Sequence, residues 1–232
     1  MNCTATTMAK EAFSTVVSIN DKAISLMCDG QDFNVAYGMF NRGIAILEEC
    51  YGQHDMGYRS FHERLDYFTV AGNLTPISYD TGMDSVSSFS LYSNAMTLVQ
   101  TPAAVPGLSS RIEDAFNILY TSILFNAGLC LHLRGLSTGR DSDVRNSLAH
   151  YETAYGVLGT LEREPFVSVL ELAIWNNCAH IHNHLLEARE VHMCLRLMKS
   201  TLCEITDDWS QDIPSQVSAF SANILMNANH YS

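Results

Sequence analysis

The sequence predicts an all-α protein of stacked antiparallel helical hairpins, with an irregular insertion between the first and second hairpins. Apolar residues recur at spacings of three and four over residues 11–50 and again after residue 110, as on the buried face of a helix. Residues 51–109 lack this period and are rich in Gly, Ser, Thr and Tyr. With 232 residues, 47% of them hydrophobic, the chain is long enough to bury a substantial core as a single domain, residues 1–232.

The helical elements follow from this periodicity and its punctuation. The first hairpin is predicted over residues 11–50, with Gly30 between its helices. Asp143 is predicted to cap a later helix, and Pro165 suits a first helical turn. Further helices are predicted at residues 110–135, 142–160, 165–185, 188–204 and 215–227. Long helices joined by short loops pack as antiparallel hairpins, so residues 110–204 form the second and third hairpins.

Two other segments complete the predicted domain. Residues 205–232 carry the last helix, which should cap the array through Phe220, Ile224 and Leu225. Within the insertion at 51–109, short alternating runs near residues 67–70 and 89–99 make a β-hairpin a candidate. An irregular stretch of this length is unusual inside a compact domain, so we expect it to be packed and functional.

Superposing the three hairpins shows a recurring pattern of small and bulky residues. A small residue on the first helix is followed on the second by a slim residue, a bulky one and another small or apolar one. The copies are Ala23, Ala36, Phe40 and Gly43; Gly128, Ser147, Tyr151 and Ala154; and Ala179, Val191, Leu195 and Met198. Small residues let paired helices approach closely, and the bulky residue fills the gap to the next hairpin.

This pattern resembles the tetratricopeptide repeat. The segments LFNAGLCLHLRGL, SLAHYETAYGVL and AIWNNCAHIHNHLLEAREVHMCLRLM are also similar to a lineage-specific family of diatom proteins with tetratricopeptide-like helices, which reads NLGLAYHLRGL, ALxLYELAY and NNLGQIH. The resemblance is strongest over residues 110–227 and weaker over 11–50. It implies a helical array with a binding role and no known reaction.

The charge of the chain bears on its partners. Its 13 Lys and Arg against 25 Asp and Glu give a net charge of −12, which disfavours nucleic acid and anionic membranes as main partners. A basic or neutral protein or peptide is expected instead, and no cofactor is predicted. Seven widely spaced cysteines without a CxxC pair indicate reduced thiols. We therefore expect a cytoplasmic protein, with a nuclear location as the alternative.

One stretch is apolar enough to raise the question of a membrane span. Residues 115–133 carry no Asp, Glu, Lys or Arg over 19 positions, a length that could cross a bilayer. The stretch nevertheless contains Asn117, Asn126 and His132, which are costly in lipid. A central helix buried inside the protein is the favoured interpretation.

The candidate partner-binding surface follows from the tetratricopeptide resemblance, which implies that the first helix of each hairpin lines a concave groove. Asn126 and Asn177 occupy matching positions and can either clamp the backbone of an extended peptide or hold the fold together internally. In the second case the insertion would fill the groove. The groove residues are Phe125, Asn126, Leu129, His132, Asn176, Asn177, His180, Asn183 and His184, with Phe125 as the apolar anchor.

The favoured function is a non-catalytic interaction scaffold that binds a peptide or partner helix on this concave face. The alternative is a metal-dependent hydrolase using His180, His184 and Glu187, since an i, i+4 histidine pair can bind zinc. No HExxH motif, GxSxG motif or phosphate loop accompanies these residues. The sequence therefore predicts no metal site and no catalytic residue.

Overall fold

The computed structural model describes residues 2–29, 32–54, 69–77, 90–101, 112–161, 163–208 and 217–227. The elements in these ranges are α1 Asn2–Cys28, α2 Phe33–His54, β1 Thr69–Pro76, β2 Asn94–Thr101, α3 Ile112–Thr138, α4 Asp141–Leu158, α5 Pro165–His184, α6 Ala188–Asp208 and α7 Val217–Asn227. The predicted fold class, an array of helical hairpins, is confirmed. Helix α1 begins earlier than the predicted residue 11.

The helices pack as neighbours along the chain. α1 pairs with α2, α3 with α4 and α5 with α6, while α2 rests on α3 and α4 rests on α5. Helix α7 contacts both α6 and α5 at the end of the array. The small and bulky residues of the recurring sequence pattern are all buried, and Phe40 and Tyr151 are among the largest fully buried side chains. The pattern therefore identified the helix interfaces correctly.

The candidate β-hairpin in the insertion is also confirmed. Strands β1 and β2 are antiparallel, in a register that runs from Thr69 opposite Thr101 to Pro76 opposite Asn94. Strand β2 packs against α3 and α1. The insertion thus returns to the first helices of the hairpins, where the sequence placed the groove.

Helix α3 is the central element of the array. It contacts α1, α2, α4, α5 and β2. By length and composition, its stretch from Asp114 to Thr138 could cross a membrane, but 89% of the most apolar window is buried inside the protein. Burial on all sides accounts for its apolar composition, because a helix surrounded by other elements needs no polar face.

Two details of the sequence interpretation are wrong, and others lie outside the described residues. Asp143 caps no helix: it lies inside α4 and its two carboxylate oxygens accept hydrogen bonds from Arg134 at 2.9 and 3.0 Å. Leu225 does not dock the last helix, because it is 73% exposed. Pro165 does open α5 as predicted. Gly30, predicted to separate the first two helices, falls outside the described residues.

The close approach of α3 and α4 gives a test of the packing. A Cβ atom at Gly135 would lie 2.6 Å from Val144 Cγ2, 2.9 Å from Val144 N and 3.0 Å from Arg140 O. Because two of these atoms belong to the backbone, we expect Gly135→Ala to lower the free energy of unfolding by about 2 kcal/mol. The matched control is Gly156→Ala, because a Cβ at Gly156 would meet nothing within 4 Å. This substitution should stabilise α4 by about 0.5–1 kcal/mol. Urea denaturation of both variants measures the difference, and equal effects would contradict the close spacing of α3 and α4.

Candidate asparagine-lined peptide groove

An extended segment of the insertion crosses the first helices of the array. Residues 90–98, which we call the strap, include the start of β2. Within the strap, Tyr92, Ala95, Met96 and Leu98 are buried. The strap is held by asparagine side chains from α1, α3, α5 and α7.

The first contact is made by Asn126 of α3 with Met96. The Met96 N–H donates to Asn126 Oδ1 at 2.8 Å, and Asn126 Nδ2 donates to the Met96 carbonyl at 2.8 Å. Asn20 of α1 joins them: its Nδ2 donates to the same carbonyl at 3.0 Å, and its Oδ1 accepts from Asn126 Nδ2 at 2.8 Å. All three residues have zero exposure, so the backbone of Met96 relies on these amides for its hydrogen bonds.

The second contact repeats this geometry on α5. The Tyr92 N–H donates to Asn177 Oδ1 at 3.0 Å, and Asn177 Nδ2 donates to the Tyr92 carbonyl at 3.0 Å. Asn177 Nδ2 also donates to the hydroxyl of Tyr151 at 3.2 Å. Tyr151 is the bulky residue of the second repeat, so the helix interface fixes the amide that holds the strap.

The third contact comes from the capping helix. The Ser90 N–H donates to Asn223 Oδ1 at 3.0 Å, and Asn223 Nδ2 donates to the Ser90 carbonyl at 2.7 Å. Asn176 Nδ2 donates to that carbonyl as well, at 3.0 Å, while its Oδ1 accepts from Asn223 at 2.6 Å. Helix α7 therefore extends the groove as well as closing the array.

Asn126, Asn177 and Asn223 together form what we call the asparagine clamp. Each of them both accepts from the N–H and donates to the C=O of one strap residue. The residues held are at positions 90, 92 and 96, which are separated by even numbers. In an extended chain, the backbone groups of alternate residues point to the same edge. The clamp therefore contacts one edge of an extended peptide backbone, and these bonds do not depend on the side chains of that peptide.

The structure places the other predicted groove residues in different surroundings. Phe125 and Leu129 have zero exposure, and the Phe125 ring packs 5.5 Å from that of Tyr151, so Phe125 is a core residue rather than an open anchor. Asn183 lies beside a small pocket at the end of α5. His184 is exposed and its Nε2 lies 3.0 Å from an oxygen of Asp141. The sequence left two alternatives for Asn126 and Asn177: they clamp a partner peptide, or they hold the fold together while the insertion fills the groove. The structure shows the groove filled by the insertion.

Two histidines of the predicted set lie in contact between α3 and α5, with His132 buried and His180 partly buried. His132 Nε2 and His180 Nδ1 are 3.1 Å apart, and His132 has zero exposure. Burial is the main cause that lowers the pKa of His132 well below its usual value, with smaller contributions from His180 and His184. Burial, followed by the neighbouring His184, lowers the pKa of His180 to about 4. Both rings are therefore neutral at pH 7.

This pair predicts an acid-sensitive fold. Between about pH 6.5 and 4, unfolded histidines bind protons that His180 in the folded protein does not, so the free energy of unfolding falls as the pH is lowered through this window. We expect His180 to account for about 3 kcal/mol of that loss. Chemical denaturation across the window should give a flatter pH dependence for His180→Gln than for the wild type. His192→Gln, at an exposed position, is the control, and equal slopes in both variants would contradict the assignment.

The residues of the hydrolase alternative have separate neighbours. His180 faces His132, His184 lies beside Asp141, and Glu187 lies 2.7 Å from His182 Nδ1. Among the residues that the structure describes, no group of three or more His, Cys, Asp or Glu side chains is close enough to hold a metal ion. The geometry of these ranges therefore gives the hydrolase interpretation no support.

Sequence reasoning missed two residues of the site, Asn20 and Asn223. Asn20 falls between Val16 and Ala23 at spacings of four and three, and Asn223 lies three residues after Phe220. Both are therefore polar residues on an otherwise apolar helical stripe. A buried amide requires hydrogen-bond partners, so an asparagine in such a stripe was the available signal.

Comparison with known proteins gives no relative for this chain. No protein-family model, no curated protein and no solved structure matches it.

Proposed function

We propose that this protein is a protein-interaction scaffold whose concave face binds an extended peptide, and that the strap occupies this face when no partner is bound. One observation carries the proposal. The asparagine clamp makes paired hydrogen bonds to the backbone of the strap at Ser90, Tyr92 and Met96. A second peptide in the same conformation would present the same backbone atoms.

The clamp favours an extended partner over a helical one. Inside an α-helix, the N–H and C=O groups already bond to each other along the chain. These paired groups are therefore not available to an amide that both donates and accepts. Of the two partner types expected from the sequence, the site therefore supports a peptide rather than a partner helix.

The polarity of the site supports a neutral partner. The side chains that hold the backbone of Ser90, Tyr92 and Met96 are all asparagines: Asn20, Asn126, Asn176, Asn177 and Asn223. Amides bond to a neutral backbone without requiring a counter-charge. The net charge of −12 adds a long-range attraction for basic residues that flank the bound peptide.

The strap competes with any partner because it is part of the same chain. A tethered segment acts at an effective concentration in the millimolar range. A free peptide with the same contacts therefore binds weakly unless the strap is loosened. The experiment must weaken the strap without altering the clamp.

The test uses full-length protein with the strap substitutions Tyr92→Ala and Met96→Ala, checked for helical content by circular dichroism. A fluorescein-labelled peptide with the sequence of residues 88–99 is titrated into it and followed by anisotropy. If the variant does not fold, the wild-type protein is titrated instead and followed by NMR. We expect saturable binding at the groove.

Backbone methylation provides the matched control. A peptide N-methylated at the positions of Tyr92 and Met96 loses two donors to the clamp and should bind about tenfold more weakly or worse. A peptide N-methylated at Leu91, which lies between two residues that the clamp holds, should bind like the parent. If no peptide binds, or if both methylated peptides lose affinity equally, the proposed function is refuted.

A further inference from the structure

We infer that the partner peptide is uncharged within the groove and carries an aromatic residue followed, four positions later, by a long unbranched apolar residue. This inference rests on the proposed function and adds a side-chain preference to its backbone recognition. It follows from how the groove holds Tyr92, Ala95, Met96 and Leu98 of the strap, which serve as a template for the partner.

The aromatic position is defined by Tyr92 and Phe220. The Tyr92 side chain is 6% exposed, and its ring lies 4.8 Å from the ring of Phe220 at an interplanar angle of 33°. Aromatic rings paired at this distance attract each other beyond the effect of burial alone. The groove therefore selects an aromatic ring at this position.

The second position is defined by Met96. Its side chain has zero exposure in the part of the groove between α1 and α3, where Asn20 and Asn126 hold its backbone. Four residues of extended chain span about 13 Å, which fixes the separation of the two pockets. Methionine is flexible and unbranched, so the same path is open to another long unbranched apolar side chain. The adjacent Ala95 is also fully buried and requires a small residue.

Charge at either position is disfavoured by burial. Tyr92 and Met96 are both buried, and the side chains that hold their backbone are neutral amides. A buried charge without a partner costs several kcal/mol. Burial raises the pKa of Tyr92 to about 12, which agrees with a site that holds neutral groups. Acidic and phosphorylated peptides are therefore excluded from this part of the groove.

The test varies side chains of the peptide while leaving its backbone intact, in the same binding assay. Replacing the tyrosine by leucine should weaken binding about tenfold. Replacing the methionine by lysine or glutamate should abolish measurable binding. If the leucine peptide binds as tightly as the tyrosine peptide, or a peptide with a charged residue binds as tightly as the methionine peptide, the inferred preference is wrong.

A variant of the protein checks that the preference arises at Phe220. In Phe220→Leu protein, the difference between the tyrosine and leucine peptides should shrink to less than about threefold, because the ring pair is absent. An unchanged difference would overturn the assignment of the pocket.

These outcomes separate the two proposals. If N-methylation weakens binding but side-chain changes in the peptide do not, the proposed peptide binding stands and the inferred side-chain preference is wrong. Insensitivity to both would overturn the proposed function as well. A third outcome concerns a second copy of the chain: if peptides fail to bind while light scattering shows a concentration-dependent dimer that is lost on Tyr92→Ala, strap exchange between copies would replace a peptide partner.

Discussion

Replacing Asn126 and Asn177 together by alanine should lower the free energy of unfolding by about 4 kcal/mol, because two buried backbone N–H groups lose their acceptors. These are the N–H groups of Met96 and Tyr92, which lie 2.8 and 3.0 Å from the amide oxygens. Neither asparagine is exposed, so water cannot replace the lost bonds without entering the core. Thermal and urea denaturation measure the effect.

The matched control for this variant removes two exposed asparagines. Asn41 of α2 and Asn146 of α4 are both exposed, and alanine favours helices over asparagine. The double control should leave stability unchanged or raise it slightly. A clamp variant that melts like the wild type would contradict the structure, because it would mean that the strap does not depend on these amides.

Phe220→Ala should have the next largest effect, a loss of about 3 kcal/mol, as expected for truncation of a buried aromatic side chain. Phe220 is 1% exposed and its ring packs on Tyr92. The substitution therefore loosens both the capping helix and the strap. Leu225→Ala on the same helix is the control: Leu225 is 73% exposed, so its truncation should cost less than about 0.5 kcal/mol.

The same pair of variants checks whether α7 is docked. If Phe220→Ala unfolds at the wild-type temperature, α7 does not cap the array. If Leu225→Ala is as destabilising as Phe220→Ala, α7 presents a different face to α5 and α6. In either case α7 would not place Asn223 beside the strap, so the third contact of the clamp would be absent.

The helices could be predicted from the sequence because helical periodicity is local. The spacing of apolar residues and the small residues such as Gly128 and Ala154 identified which helices pair. The alternating run around residues 89–99 also indicated a strand. These signals involve residues close in sequence or in equivalent repeats, where short-range geometry dictates the pattern.

The contents of the groove were harder to predict because they depend on distant pairings. Asn126 and Asn177 were recognised as a matched pair, but their partners Met96 and Tyr92 lie 30 and 85 residues away. Backbone hydrogen bonds carry no side-chain signature, so nothing in the strap sequence marks it as the occupant. The tetratricopeptide resemblance predicts Phe125 on an open surface. Periodicity does not correct this prediction, because α3 is apolar on every side and a groove face cannot then be distinguished from a core face.

Hydrogen exchange of the strap amides tests the central claim, that the concave face holds an extended backbone which a peptide can replace. In the free wild-type protein, the N–H groups of Tyr92 and Met96 should be protected from exchange. The peptide covering residues 88–99, added above the millimolar effective concentration of the tethered strap, should accelerate exchange at both positions while the amides of α3 stay protected. Rapid exchange of Tyr92 and Met96 without peptide, or protection that the bound peptide leaves unchanged, would contradict this claim.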